Sequence, residues 1–527
     1  MLLLAIALSL PFVQTKVANI VTNKINKDFG TNINVERIAI TAFGSIKLKG
    51  VLILDHHNDT LISAERLQTN LLSFRNAANS NLEFGTINAE QLTFHMKTYK
   101  DEPTSNLDVF VKAFDNGEPG SGKFQLKSSE IAVAGGRYRL TNENAETARI
   151  LDFKQLNGKL KDFFIKGSDV SADIKKLSLL DHRGLFVKNL SAGFSYSKTA
   201  ITLKQLDLAT KESALSGNLI LSYKEGDMKD FVNKVDFDFM VDRAYVSSNE
   251  LNYFYNEFGK NQKFYLSSHL KGPLNDFVLT NLKLLDAEQS EIIGTVNFKH
   301  LFDKEGPGFY MDGNFNSITS NYNNLRGIMP NILGNSLPEV LSKLGRVDIN
   351  GRVVLTKKDL TTNINVLSEL GAAKTNLSIK DFNQPDIATY KGVIDTDNFN
   401  LGALIEQKDV GNATVHIDVN GKGFNQKSLN TVIKGEIYEL MFNGYNYTNI
   451  TVDGRLKWPR FEGSVNSNDP NLLMSFDGVA DMSRKRKNYD FHARIDYADL
   501  ALLNLMKNDT LSIFKGDLLF DATDNAR

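Results

Sequence analysis

Residues 452–480 read VDGRLKWPRFEGSVNSNDPNLLMSFDGVA. In an extended chain, Val452, Gly454, Leu456 and Trp458 fall on one side, and Thr451, Asp453, Arg455 and Lys457 on the other. The split repeats with Phe461, Gly463 and Val465 against Glu462, Ser464 and Asn466, and again with Leu472, Met474, Phe476, Gly478 and Ala480. Alternation over short runs, broken by Pro, Asn and Asp, predicts half-buried strands. Each of the three strands also puts a glycine, the weakest strand former, on its apolar side. A missing side chain there lets a sheet turn a corner or leaves space above the main chain, and the pattern alone is compatible with both.

Working outward, the same period of two recurs in INVERIAI (33–40), SIKLKGVLIL (45–54), NKVDFDFMVD (233–242), ATVHIDVNG (413–421) and DLLFDATD (517–524). Helical patterns are few. Thr60–Asn79 is ambiguous and Ser248–Phe258 reads as a short helix; Asn324–Leu344 gives two short stretches broken at Pro330 and Pro338. Leu333, Leu337, Leu341 and Leu344 share one face of the last of these, read as ordinary core. A doubly wound parallel sheet needs a helix after nearly every strand, so the expected fold is mainly β with a few short helices. A loose recurrence also shows: a strand ends in Asp or Asn and an apolar helical turn follows, at FDFMVDRAYVSSNELNYF, GVIDTDNFNLGALI and ARIDYADLALLNLM. Its irregular spacing is not that of a tight solenoid.

The chain has 527 residues, of which 42% are hydrophobic, enough for more than one domain. With 61 basic and 62 acidic residues it carries no global field to recruit nucleic acid, which is not expected as a partner. It contains no cysteine, so disulfides, thiolate metal sites and cysteine nucleophiles are excluded. The expected organisation is an anchor and exit helix over 1–29, a first β region over 30–240 and repeated β units over 241–527.

The chain opens with the uncharged run MLLLAIALSLPFV, whose Leu2, Leu3, Leu4, Ile6, Leu8, Leu10 and Phe12 read as the exit half of a membrane anchor, with a signal sequence or a buried core helix as the alternatives. At 1.5 Å per residue such a run is shorter than the ~30 Å hydrocarbon core. A helical stripe of Val17, Ile20, Val21, Ile25 and Phe29 follows. At the other end, FKGDLLFDATDNAR breaks off within an alternating pattern, and the expectation is that the natural chain continues.

Catalytic motifs are weak. The pair His56-His57 lies in LDHHNDT beside Asp55 and Asp59 and reads as a solvated polar turn rather than a metal site. GGRYR (135–139) lacks the strand-to-helix context of a phosphate loop, and SRKRK (483–487) reads as a solvated basic turn. No nucleophile elbow, HExxH or Walker sequence is present, so neither an enzyme nor a cofactor is expected.

Two segments carry a family resemblance. LPFVQTKVANIVTNKINKDFGTNINVERIAITAFGSIKLKGVLILDHHNDTLISAERL (10–67) resembles the start of the TamB branch of the AsmA-like proteins, of the Bacteroidota type. YNYTNITVDGRLKWPRFEGSVNSNDPNLLMSFDG (445–478) resembles that family's recurring tyrosine strand, G-x-F-x-G and D-P-n-l-x-l-x-f-x-G pattern. The resemblance implies an inner-membrane anchor and a periplasmic body in a diderm envelope. That body would be an elongated, taco-like curled sheet with an apolar groove, in which phospholipid passes between the two membranes. The alternative implied is a scaffold for outer-membrane protein assembly; either role meets an outer-membrane barrel of the assembly-factor type through a C-terminal region outside this sequence. Under the conduit reading the groove is lined by Val452, Gly454, Leu456, Trp458, Phe461, Gly463, Val465, Leu472, Met474, Phe476 and Gly478, and the three glycines supply groove space.

Overall fold

Antiparallel pairing of chain neighbours dominates the architecture, which is mainly β with 27 strands among the described residues. A computed structural model of the protein describes residues 11–40, 45–70, 72, 81–113, 125–145, 148–167, 169–224, 226–254, 258–303, 308–328, 330, 334, 337, 339–425, 427–481, 486–506 and 512–525. The chain divides into two compact units, one of Met1–Phe254 with Leu266–Leu274 and the other of Tyr255–Tyr265 with Asn275–Arg527.

The first unit opens with a helix, Pro11–Phe29, that rests on the hairpin Asn32–Ile40/Ser45–Leu54. Its buried side is Ala18 and Thr22, small residues that let the helix approach Val35, Ile38, Val51 and Ala64 closely. The apolar stripe read from the sequence is not that side: Ile20, Val21 and Phe29 are exposed. The Asn26 side chain donates to the carbonyl of Ile33 and accepts from its N–H, pairing the edge of the first strand as another strand would. No helix among the described residues is long and apolar enough to cross a membrane. Leu2, Leu3, Leu4, Ile6, Leu8 and Leu10 of the expected anchor lie outside the described residues, while Phe12 is an exposed residue of the helix.

One feature of this unit departs from a meander. Asn81–Glu90 and Thr93–Thr98 both pair antiparallel with Thr60–Asn70 and parallel with the 18-residue strand Gln125–Asn142. They form one interrupted lane, and the parallel return passes through the helix Asn106–Lys112, as a crossover must. The ambiguous segment Thr60–Asn79 is a strand over Thr60–Asn70, and GGRYR lies inside the long strand at a register shift. From there each strand to Asp236–Ser247 pairs with the next.

The second unit is an antiparallel meander of strands from Asp276–Asp286 to Ile513–Asn525, each paired with its successor. Strands Tyr310–Asn321, Thr389–Asn400 and Arg486–Asp499 are each followed by a short helix or turn, at Tyr322–Ile328, Leu401–Ile405 and 500–505. Successive members stand four and six strands apart in the meander, with odd numbers of strands between them, so all three lie at the same edge. Two of these, after Thr389–Asn400 and Arg486–Asp499, are members of the recurrence read from the sequence; its first member lies in the first unit, where Asp236–Ser247 leads into the helix Ser248–Leu251. Asn321, Asn400 and Asp499 accept hydrogen bonds from the main-chain N–H groups of Asn324, Ala403 and Ala501 respectively, which is why Asn or Asp stands there.

Around the prolines, 331–333 and 338 lie outside the described residues, Leu333 among them; Glu339–Leu344 is a short 3-10 helix. The helix expected over Ser248–Phe258 is confined to Ser248–Leu251 in the described chain. Of SRKRK, 483–485 lie outside the described residues and the strand Arg486–Asp499 begins at its fourth residue.

Candidate functional site: an apolar sheet face

Register places the apolar side of Val452–Ala480 on a larger surface. Ile417 pairs with Gly435, Gly435 with Val452, Val452 with Val465, Val465 with Phe476, and Phe476 with Ala493. Phe491 pairs with Gly478 on one side and Phe520 on the other. Paired residues point to the same face, so one apolar surface runs across these strands. The opposite face carries charge, with Lys434 and Asp453 paired across strands at 2.8 Å.

Leu456, Phe461, Val465, Leu472, Met474 and Phe476 are half-buried, and Val452 is buried. Buried side chains gather at strand ends, around Phe309, Leu355 and Phe382 at one edge and Tyr447, Ala498 and Leu503 at the other, while the middles of the unit's first strands bury Leu282, Val296 and Phe315. A sheet face covered by a second layer would bury the strand middles as well. Among the described residues, the main close backbone approaches of these strands are to their neighbours in the sheet and to the short helices at its edges.

Aromatic rings occupy part of the face. Phe461 and Phe476 lie with ring centres 6.3 Å apart, Phe476 and Phe491 at 5.1 Å, and Phe491 stacks on Phe520 at 5.5 Å. Phe491, Ala493 and Phe520, and Ile417, Ile433 and Gly435 on the other side, were not among the predicted lining residues. The same alternation in ATVHIDVNG, IKGEIYEL, NYDFHARID and DLLFDATD was the signal for them.

The glycines form a transverse row, Gly454 opposite Gly463 and Gly463 opposite Gly478. They are corners, not groove space. A Cβ on Gly463 would lie 2.4 Å from the Asp453 carbonyl oxygen, and one on Gly478 would lie 2.3 Å from that of Asp490. Their φ values of +151° and +138° are ones that side chains disfavour. At Gly454 the space is taken by the Phe461 ring, 2.7 Å from where a Cβ would be. Equivalent close approaches to a neighbouring carbonyl occur at Gly392, in register with Gly454 through Val419 and Ile433, and at Gly351 and Gly435, two residues further along the strands. The expectation that these residues leave room for a ligand is thus corrected: the room is filled by the adjacent main chain. Trp458 is also displaced from the expected set, since it lies in the hairpin turn beyond Lys457 and is 48% exposed.

No protein-family model and no curated protein matches this chain. The reading of the face accordingly rests on its own geometry, and the resemblance to the TamB branch on the residues quoted for it.

At the strand ends, buried polar groups fix the turns that frame the face. Asp469, fully buried, accepts from the Tyr445 hydroxyl at 2.7 Å and from the N–H groups of Thr448 and Asn471, each at 2.8 Å. Burial alone would raise its pKa, but these hydrogen bonds outweigh it and hold the carboxyl below the ordinary aspartate range.

Proposed function

We propose that the apolar face of the second unit is a lipid-binding groove and that the protein is a conduit for phospholipid in the envelope of a diderm bacterium. The observation that carries this reading is the apolar face that continues from strand to strand with Leu456, Phe461, Val465, Met474 and Phe476 only half-buried. The glycine rows support it, because positions without a side chain let a sheet curve and so wrap its apolar side into a trough. Each methylene removed from water contributes about 0.8 kcal/mol, so acyl chains bind along such a trough without a headgroup pocket. In this reading the sheet is the taco-like, curled body of a TamB-like protein. It lies in the periplasm, with the N-terminal apolar run and the exposed Phe12, Ile20 and Val21 directed to the inner membrane.

The test is to charge the trough without touching the glycines, with Val465→Glu and Phe476→Arg. Variants that keep their circular dichroism and melting temperature should lose bound phospholipid and envelope integrity together. If folded variants keep both, the conduit reading fails. If outer-membrane protein levels fall instead while lipid balance holds, the scaffold reading replaces it.

A further inference from the structure

A side-chain cluster in the first unit, far in sequence from the apolar face, has a different chemistry. His56 and His57 occupy the turn between the strands Ser45–Leu54 and Thr60–Asn70, and Glu102 lies in the loop before the helix Asn106–Lys112. Both imidazoles converge on that one carboxylate: His56 Nε2 is 2.9 Å from Glu102 Oε2, and His57 Nε2 is 2.6 Å from Oε1. The three side chains bring one ligand atom each to within 4.8 Å of one another.

The surroundings hold both halves in place. Asp55, buried beneath the turn, accepts from the N–H groups of His57 and Asp59 at 2.9 Å each, from the Tyr99 hydroxyl at 2.8 Å and from the Asn106 amide at 2.9 Å. On the other side, the Asn144 amide donates to the carbonyls of Tyr99 and Glu102, at 3.0 and 3.1 Å, which fixes the loop carrying the carboxylate. The Tyr99 ring lies 3.8 Å from that of His57 and walls one side of the cluster.

We propose that His56, His57 and Glu102 form a site for a borderline divalent transition-metal ion such as Zn²⁺. Two imidazole nitrogens and one carboxylate are the donor set of a three-ligand zinc site with a position left for water. That set disfavours Mg²⁺ and Ca²⁺, which take oxygen ligands throughout. Metal–ligand bonds near 2.0–2.1 Å in a tetrahedron put donor atoms about 3.3 Å apart. The present hydrogen-bonded separations need to open by less than an ångström at a partly exposed turn tip. The ion would tie together two loops that are 45 residues apart in the chain, as a structural clip rather than a reaction centre.

The experiment is calorimetric titration of the tag-free full chain with Zn²⁺, with Co²⁺ absorption and X-ray absorption reporting the ligands. Saturable binding of one equivalent, a nitrogen/oxygen ligand shell, and at least a tenfold loss of affinity in His56→Ala/His57→Ala and in Glu102→Gln are expected. Absence of saturable binding at millimolar Zn²⁺, or affinity unchanged in the double variant, overturns the proposal. Circular dichroism of each variant establishes that the fold persists; should a variant unfold, a wild-type ligand shell without imidazole overturns the proposal by itself.

Discussion

At the scale of single residues, Gly463 and Gly478 separate two meanings that the sequence leaves together. Alternation put them on the apolar face, and the structure keeps them there. What the pattern could not carry is that the missing side chain is replaced by the neighbouring strand, because that depends on backbone torsion and cross-strand approach. Gly463→Ala should therefore destabilise the second unit by about 3 kcal/mol through backbone strain and overpacking. A melt or denaturant titration checks this; an unchanged midpoint would mean the space is free after all. Asp469 gives a second residue-scale prediction. Its folded pKa lies below the unfolded value, so its contribution is complete above the ordinary aspartate range and is lost as pH falls through that range toward the folded pKa. Asp469→Asn turns an amide N–H₂ toward groups that already donate, and should cost about 2 kcal/mol at pH 7. The gap between wild type and variant, followed by thermal melts, should narrow toward pH 3.

At the scale of elements, strands were legible wherever one face is wet and the other apolar, because that alternation is local. The parallel lane of Asn81–Glu90 and Thr93–Thr98 beside Gln125–Asn142 was not, since it is set by partners more than 40 residues away. The same distance hid Glu102 from His56 and His57. The helix at Ser248 and the turns after Asn400 and Asp499 were found approximately, whereas Asn106–Lys112 was not read as a helix; the common edge of those in the second unit became visible only when strands, not residues, were counted. In the strands around Val452–Ala480, burial beyond Val452 is greatest at the strand ends, which makes a comparison possible. Leu503, fully buried beside Tyr447 and Ala498, should cost about 3 kcal/mol when changed to Ala. Phe476→Ala, in the half-buried middle of the face, should cost less despite removing more atoms. Amide exchange across Tyr445–Asp481 would read both; a larger loss at Phe476 would mean that the strand middles carry the core.

At the scale of the whole molecule, the account depends on what meets the apolar face. Fold class was readable from period two and the scarcity of helices, but exposure of the face was not, because a covered and an uncovered sheet share the same alternation. The trough residues Val465, Met474 and Phe476 remain where the alternation put them, while Trp458 and the glycines have other roles. The most direct measurement is lipid extraction and native mass spectrometry of the protein body purified gently without detergent. The account predicts co-purified phospholipid that Val465→Glu and Phe476→Arg remove while the fold persists. A body that purifies folded and free of phospholipid would contradict it.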